Sequence, residues 1–469
     1  LWKVPIDGGQ PMKLASPAFH FVGTVWGGDG NLYYAETYAS GISRVPAEGG
    51  EEESVTELDE GELGHWWPSV LPDGSALLYT VYGAGSMDSW DVRIRNLRSG
   101  ETRPLIRGGY NARYLASGHV VFGRSGSLVA MAFDRERLEV SGEPMAVVRN
   151  VATSPSNASI TFAVSEEGTL VYAEESTDDE LVWVDRSGAE RPVTGERRAF
   201  AYPRVSPDGR RAVVVVREGI DRSLWLIDLA RGAFTRLTHG ADDQAPAWSP
   251  EGDWIYFTSA PNGPYEIFRV PSDGSGEPEL LLGGPIDKTV SAVSPDGRIL
   301  AFAEEKRPGG WDIHFLSLDS GETRPFAASP FDEQGVSFSP DGVWVAYSSN
   351  ETGRTEVYLR RSDGRGGKIP VSTDGGAGPV WSKDANEILF WNGSRLESVT
   401  VPRDASSGLG RPVTWFDASP YRSSSFIAGF DTGTGGELLM VRTRQGSQRM
   451  ELKIVMNWFE ELRRLVPVN

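Results

Sequence analysis

Four times the chain writes nearly the same phrase: SPDGRRAVVVV from Ser206, SPEGDWIYFTS from Ser249, SPDGRILAFAE from Ser294 and SPDGVWVAYSS from Ser339. Each is a Pro-Asp-Gly or Pro-Glu-Gly turn followed by an apolar run. A phrase returning at a fixed interval limits the fold more than any single motif, because each unit must pack against copies of itself. With the turn acid as anchor, clear repeats fall at Asp73, Asp208, Glu251, Asp296, Asp341 and Asp384, and weaker ones at Asp29 and Glu167. Degenerate turns near Ser117–Gly118 and Thr434–Gly436 complete a series of ten anchors spaced roughly 45 residues apart. That period, with four strands per unit, predicts a β-propeller.

The units parse alike. QAPAWSPEG, DWIYFTSAPNG, YEIFRVPSDGSG and EPELLLGG read as four successive strands, and VSAVSPDG, RILAFAEE, WDIHFLSLDSG and ETRPFAAS repeat the scheme. Pro presets φ at the first turn position, Asp bonds its own backbone two residues on, and Gly accepts positive φ. The apolar run after each turn is a strand buried on both faces by neighbouring units. The abundance of Gly (55), Pro (30) and Trp (15) fits many short strands and tight turns. The expected fold class is all-β, a propeller array of about ten four-stranded units.

Composition then removes partners. A net charge of −19 without a basic stripe argues against nucleic acid and against a polybasic membrane surface. With no cysteine there is no disulfide, thiolate metal site or Cys nucleophile. The longest apolar runs are about five residues, too short to span a bilayer. The opening LWKVPIDGG reads as mid-strand, so we expect a removed leader or anchor, or a start inside a larger chain.

The turn-strand phrase, followed by strands ending in LDSG or LARG, resembles the repeat of the translocation protein TolB and its relatives. Across its length the chain also resembles the extracytoplasmic propeller region of bacterial membrane-anchored serine/threonine protein kinases. The segments that carry this are LWKVPIDGG, GHWWPSVLPDG, ARYLASGHVVF, MAFDRERLEVSGEP, FAVSEEGTLVYAEE, LVWVDRSG, STDGGAGPVWSKD and NWFEELRRLVP. The resemblance implies a periplasmic or extracytoplasmic module that binds proteins. The kinase's Gly-rich loop, His-Arg-Asp loop and Asp-Phe-Gly are absent from the sequence.

Ten anchors permit one ten-bladed ring, but two propellers are preferred. The last six anchors build a six-bladed ring over 177–469, closed by outer strands from LVWVDRSGAERPVTG (Leu181–Gly195) and carrying a short C-terminal helix. Residues 1–176 form an incomplete propeller of about four and a half blades, to which the last strand can return.

Chemistry is sparse. His20, His65, His119, His239 and His314 show no metal-ligand spacing. No Gly-x-Ser-x-Gly elbow is present, and the acid pairs Glu304–Glu305 and Asp178–Asp179 read as solvated turn residues. One pattern is regular. Asp242, Asp287 and Asp332 each lie nine residues before an anchor, and Asp243 and Glu333 adjoin them; the arc stops at Ala199 and Gly375. The plain reading is that each Asp caps its turn. The functional reading is an electronegative channel mouth that takes a cation or a basic peptide segment. Trp66 and Trp67 are offered as core or partner contacts. Trp458 starts a helix that docks on its own propeller or meets a partner.

The expectation is a non-enzymatic scaffold without cofactor or metal. It acts as an accessory subunit that stabilises a membrane complex, or as the sensor region of a receptor-like kinase, with protein partners. The alternative is a propeller-based hydrolase, peptidase or glycosidase.

Overall fold

A computed structural model describes residues 1–469 apart from 16–21, 38, 84–86, 155–157, 175–177, 219–220, 240–241, 262–263, 307–309, 384–385, 403–407, 424–426, 444–451, 469 and the side chain of residue 88. The anchor Asp384 and His20 lie outside the described residues. The rest form nine four-stranded sheets, one three-stranded sheet and two two-stranded sheets. One α-helix, Trp458–Leu465, is the sole α-helix among them. The chain divides into two compact units, Leu1–Glu175 with Met450–Asn469, and Ser176–Arg449.

In the second unit five sheets are consecutive four-stranded meanders, over 199–236, 243–282, 288–327, 333–370 and 377–417. The sixth joins distant segments. Leu438–Arg442 pairs antiparallel with Glu180–Val184, from Leu181↔Val441 to Val184↔Leu438, and Phe430–Thr432 and Glu190–Pro192 flank them. Leu181–Gly195 thus supplies the closing outer strands expected of it. The innermost strands of the six sheets neighbour one another in an unbroken cycle. This is a six-bladed propeller, and closure removes the lateral edges an open array would expose.

The repeated turn explains its own spelling. Gly209 sits at φ 70° and Gly297 at φ 71°, where a side chain would be strained. Asp208 Oδ1 accepts the Arg210 N–H at 3.0 Å. The serine has a part that turn statistics do not reveal. Ser206 Oγ donates to Asp208 at 2.6 Å and accepts the Arg211 N–H at 2.9 Å, so it ties turn to strand. Ser294 and Ser339 repeat both bonds. The Ser206 hydroxyl, with the backbone bond, holds the Asp208 carboxyl below its ordinary pKa.

The first unit has three four-stranded meanders, over 24–54, 64–107 and 110–148. Its three-stranded sheet runs Phe162–Val164, Leu170–Ala173, Leu452–Val455. The last strand returns to this unit, and the helix, expected with the six-bladed ring, belongs to it as well. Leu170↔Val455 and Ala173↔Leu452 are paired, and the helix buries Trp458, Phe459 and Leu462 among first-unit side chains. The reason is amphipathicity: the apolar face of an isolated short helix needs a sheet to cover.

Candidate functional site

The acid arc is a set of structural ties. Asp287 Oδ1 accepts the N–H of Tyr265 at 2.8 Å, and Asp332 Oδ1 accepts that of Trp311 at 3.1 Å. Each thus fastens the loop leaving one sheet to the start of that sheet's third strand. Asp332 Oδ2 also accepts from Asn350 at 2.8 Å. Asp242 does the same work with charge. It receives the Arg222 guanidinium on both oxygens and the Tyr265 hydroxyl, and Arg222 Nη1 reaches Gln244 at 2.5 Å. Burial alone would lower the Arg222 pKa, but Tyr265 and Asp242 beside it raise it. Tyr265 links Asp242 and Asp287, binding one through its hydroxyl and the other through its N–H.

The acids that follow are also engaged. Ser259 Oγ donates to Asp243 Oδ1 at 2.6 Å, and Ser329 bonds Glu333 through hydroxyl and N–H. Burial pushes the Glu333 carboxyl above its usual pKa. Where the arc breaks at Gly375 the roles reverse: Gly375 N–H donates to Glu356, at the start of a third strand, at 3.1 Å. Among the described residues no group of three or more His, Asp or Glu is arranged to hold a metal ion.

Two of the three tryptophans offered as partner contacts are interior. Trp66 and Trp458 are 2% and 1% exposed. Trp66 stacks on Tyr82 at 4.0 Å and meets Trp90 edge-on at 5.4 Å. Alternation would have turned one of the pair outward, but the register shifts between Trp66 and Ser69. Trp67 takes φ 54° at this bulge, its N–H bonds Val22 O at 2.7 Å, and it lies half-buried against the core. The bulge recurs on innermost strands at Asn111, Tyr202 and Ala245, with φ from 49° to 54°. It recurs again at Gly335 and Gly378, where glycine suits the left-handed backbone, but Trp67, Tyr202 and Ala245 carry no such signal.

Asp179 is likewise not a solvated turn residue. It is 0% exposed, pairs with Arg422 at 2.6 Å, and burial raises its pKa against the pull of that arginine.

One hydroxyl–imidazole–carboxylate chain exists that spacing did not suggest. Thr56 Oγ1 accepts the Ile42 N–H at 2.7 Å and lies 2.7 Å from His65 Nδ1, while His65 Nε2 lies 3.0 Å from Glu62. The hydroxyl therefore donates to Nδ1, and Nε2–H points at Glu62. The order resembles that of a hydrolase triad. Yet Thr56 and His65 are both buried, at 5% and 0% exposure. Thr238 and Ser372 give the same hydroxyl acceptance to Leu224 and Val357 without any histidine. The hydroxyl is a repeated brace between third and fourth strands, and His65 orders one copy of it.

The family described as TolB beta propeller domain matches residues 146–384. A curated relative, the uncharacterized peptidase YuxL of Bacillus subtilis (strain 168), is 28% identical over 177 residues, covering 36% of this chain and 25% of its own length. The Tol-Pal system protein TolB of Gluconobacter oxydans (strain 621H) is 28% identical over 180 residues, covering 28% of this chain and 39% of its own length. The chain thus spans well under two thirds of these relatives. A solved structure described as TolB from Agrobacterium tumefaciens is 19% identical with a TM-score of 0.48, covering 57% of this chain and 98% of that one.

Proposed function

The chain belongs to the TolB β-propeller domain family, and from that premise we propose that it is a non-enzymatic scaffold that binds other proteins on the extracytoplasmic side of a membrane. One observation carries the reading. Among the described residues the three-stranded sheet of the first unit ends on Leu452–Val455, which pairs with Leu170–Ala173. Leu452 and Ile454 on it, and Met456 beyond it, are 59%, 64% and 67% exposed. Every second residue is thus an exposed apolar side chain on the last described strand of this sheet. A partner protein with an apolar surface fits against this row of side chains.

The non-enzymatic part draws support from the burial of Thr56 and His65 and from the structural engagement of the arc acids. The extracytoplasmic part draws on the resemblance to propeller regions of membrane-anchored kinases. No described helix is long and apolar enough to cross a membrane. Co-purification from native membranes at low detergent, with companions identified, tests the reading. Ile454→Asp, on an exposed side chain, should lose companions that the parent chain retains. Companions unaffected by that variant, or turnover of peptide or glycoside substrates by the pure chain, would reject it.

A further inference from the structure

Arginines that enter the innermost strands of this protein carry partners with them, except one. In the second unit Arg204 stands two residues past the left-handed Tyr202. Its Nη1 donates to the carbonyls of Pro203, Ala428 and Phe430 at 2.7, 2.9 and 3.2 Å, and Asp431 accepts the adjacent Val205 N–H at 2.8 Å. In the first unit Arg113 holds the same place, two residues past the left-handed Asn111. Among the described residues its guanidinium has no hydrogen-bond or ion-pair partner. Its guanidinium carbon lies over the ring of Phe162, 5.1 Å from the centroid.

The surroundings make this unusual. The first unit's innermost strands are Thr24–Trp26, Gly64–Val70, Tyr110–Leu115 and Phe162–Val164, and Arg113 is the sole Asp, Glu, Lys or Arg on them. Burial lowers the Arg113 pKa, and no charged neighbour opposes it. A half-buried cation without a counter-charge carries a desolvation cost that a bound anion would offset. In a chain of net charge −19 such a cation is also out of keeping with its setting.

We propose that Arg113 anchors a binding site for a carboxylate group, with Phe162 holding the guanidinium plane. A guanidinium stacked on a ring keeps its edge open, and that edge matches the two oxygens of a carboxylate. One cation balances one carboxylate; a phosphate dianion would call for a second cation, which these strands do not supply. The carboxylate can come from a free small acid or from the end of a peptide chain. This site stands apart from the exposed apolar row of Leu452, Ile454 and Met456, and either can fail without the other.

Calorimetric titration of the full chain decides it. The probes are sodium acetate and sodium benzoate against matched chloride, and a short peptide with a free C-terminal carboxylate against its amide. Saturable binding of at least one carboxylate probe is expected, weakened at least ~10-fold, equal to about 1.4 kcal/mol, in Arg113→Gln and less in Arg113→Lys. Binding of acetate or benzoate identifies small acids as the source; binding of the peptide alone, lost on amidation, identifies a chain terminus. Absence of saturable binding, or equal binding by Arg113→Gln, overturns the site. Circular dichroism checks that the variant is folded. Should it not be, the 15Nε resonance of Arg113 in the parent chain must move on titration, and a resonance that stays put overturns the site equally.

Discussion

The two units solve one packing problem in different ways. In the second, each of the six interfaces between adjacent sheets has its own apolar cluster. Burial is spread around the ring, between neighbouring sheets. In the first, one large cluster draws on all three four-stranded sheets, the three-stranded sheet and the C-terminal helix, while smaller ones fill two further interfaces. A repeat array that closes on itself needs no cap; one that does not close must cover its apolar faces by other means. In the first unit the helix Trp458–Leu465 buries its apolar face in the large cluster, so this unit draws on both ends of the sequence.

The comparison breaks most readily at Trp458. Its loss in Trp458→Ala should cost about 3–5 kcal/mol in the first unit, the usual range for a large buried aromatic. Hydrogen exchange read peptide by peptide should show faster opening over 162–173, with 299–317 in the second unit unchanged. Equal loss in both units would mean that they do not open separately.

Next comes the charge tie of the second unit. Asp242→Asn removes the counter-charge of a largely buried Arg222 and should cost roughly 1.5–3 kcal/mol. Asp332→Asn keeps an oxygen for the Trp311 N–H and should cost less, about 1 kcal/mol or below. Denaturant melts of the two variants rank them; a reversed order would sink the view that charge separates the two ties.

Gly297→Val examines the repeat turn. A Cβ there would come no nearer than 3.6 Å to the Glu251 carboxylate, so space is not the obstacle. The cost is that of holding φ at 71°, about 1–2 kcal/mol. An unchanged melting midpoint would show that the turn relaxes.

What could be read from the chain was whatever is local. The turn at Ser206–Gly209 involves neighbours in sequence, and the closing strands at Leu181–Gly195 announce themselves by lacking an inner strand of their own. The features left unseen depend on distance or on broken regularity. Asp179 is buried by Arg422, 243 residues away. The alternation around Trp66–Trp67 fails at a bulge that no residue type marks. The ties of Asp287 and Asp332 were legible as capping in kind but not in target, because each reaches back to a strand 21 or 22 residues earlier. Arg113 is one basic residue among many until it is seen that no hydrogen bond or ion pair holds it among the described residues.

The smallest expected effect separates the units by pH. His65 in the first unit is held neutral: burial lowers its pKa, Arg93 helps, and Glu62 and Asp59 oppose. Protonation would place a second N–H against the Thr56 hydroxyl that already donates to Nδ1. Since the folded pKa lies below the unfolded value of about 6.5, the unfolded chain binds the proton first. Stability from this group is therefore complete above about pH 6.5 and is lost as pH falls toward the folded pKa. Glu333 in the second unit has the opposite sign. Burial raises its folded pKa, so acid favours the fold as pH falls through that value. Carboxyls held below their ordinary range by the hydroxyls of Ser206 and Ser294, such as Asp208 and Asp296, leave this window untouched. Between about pH 7 and about pH 5 the first unit should open more easily while the second holds or gains slightly. Exchange rates corrected for intrinsic chemistry at each pH would show it. His65→Gln, whose amide can accept from Thr56 and donate to Glu62, should flatten the first unit's response; a slope that survives this change would assign the pH sensitivity to another group.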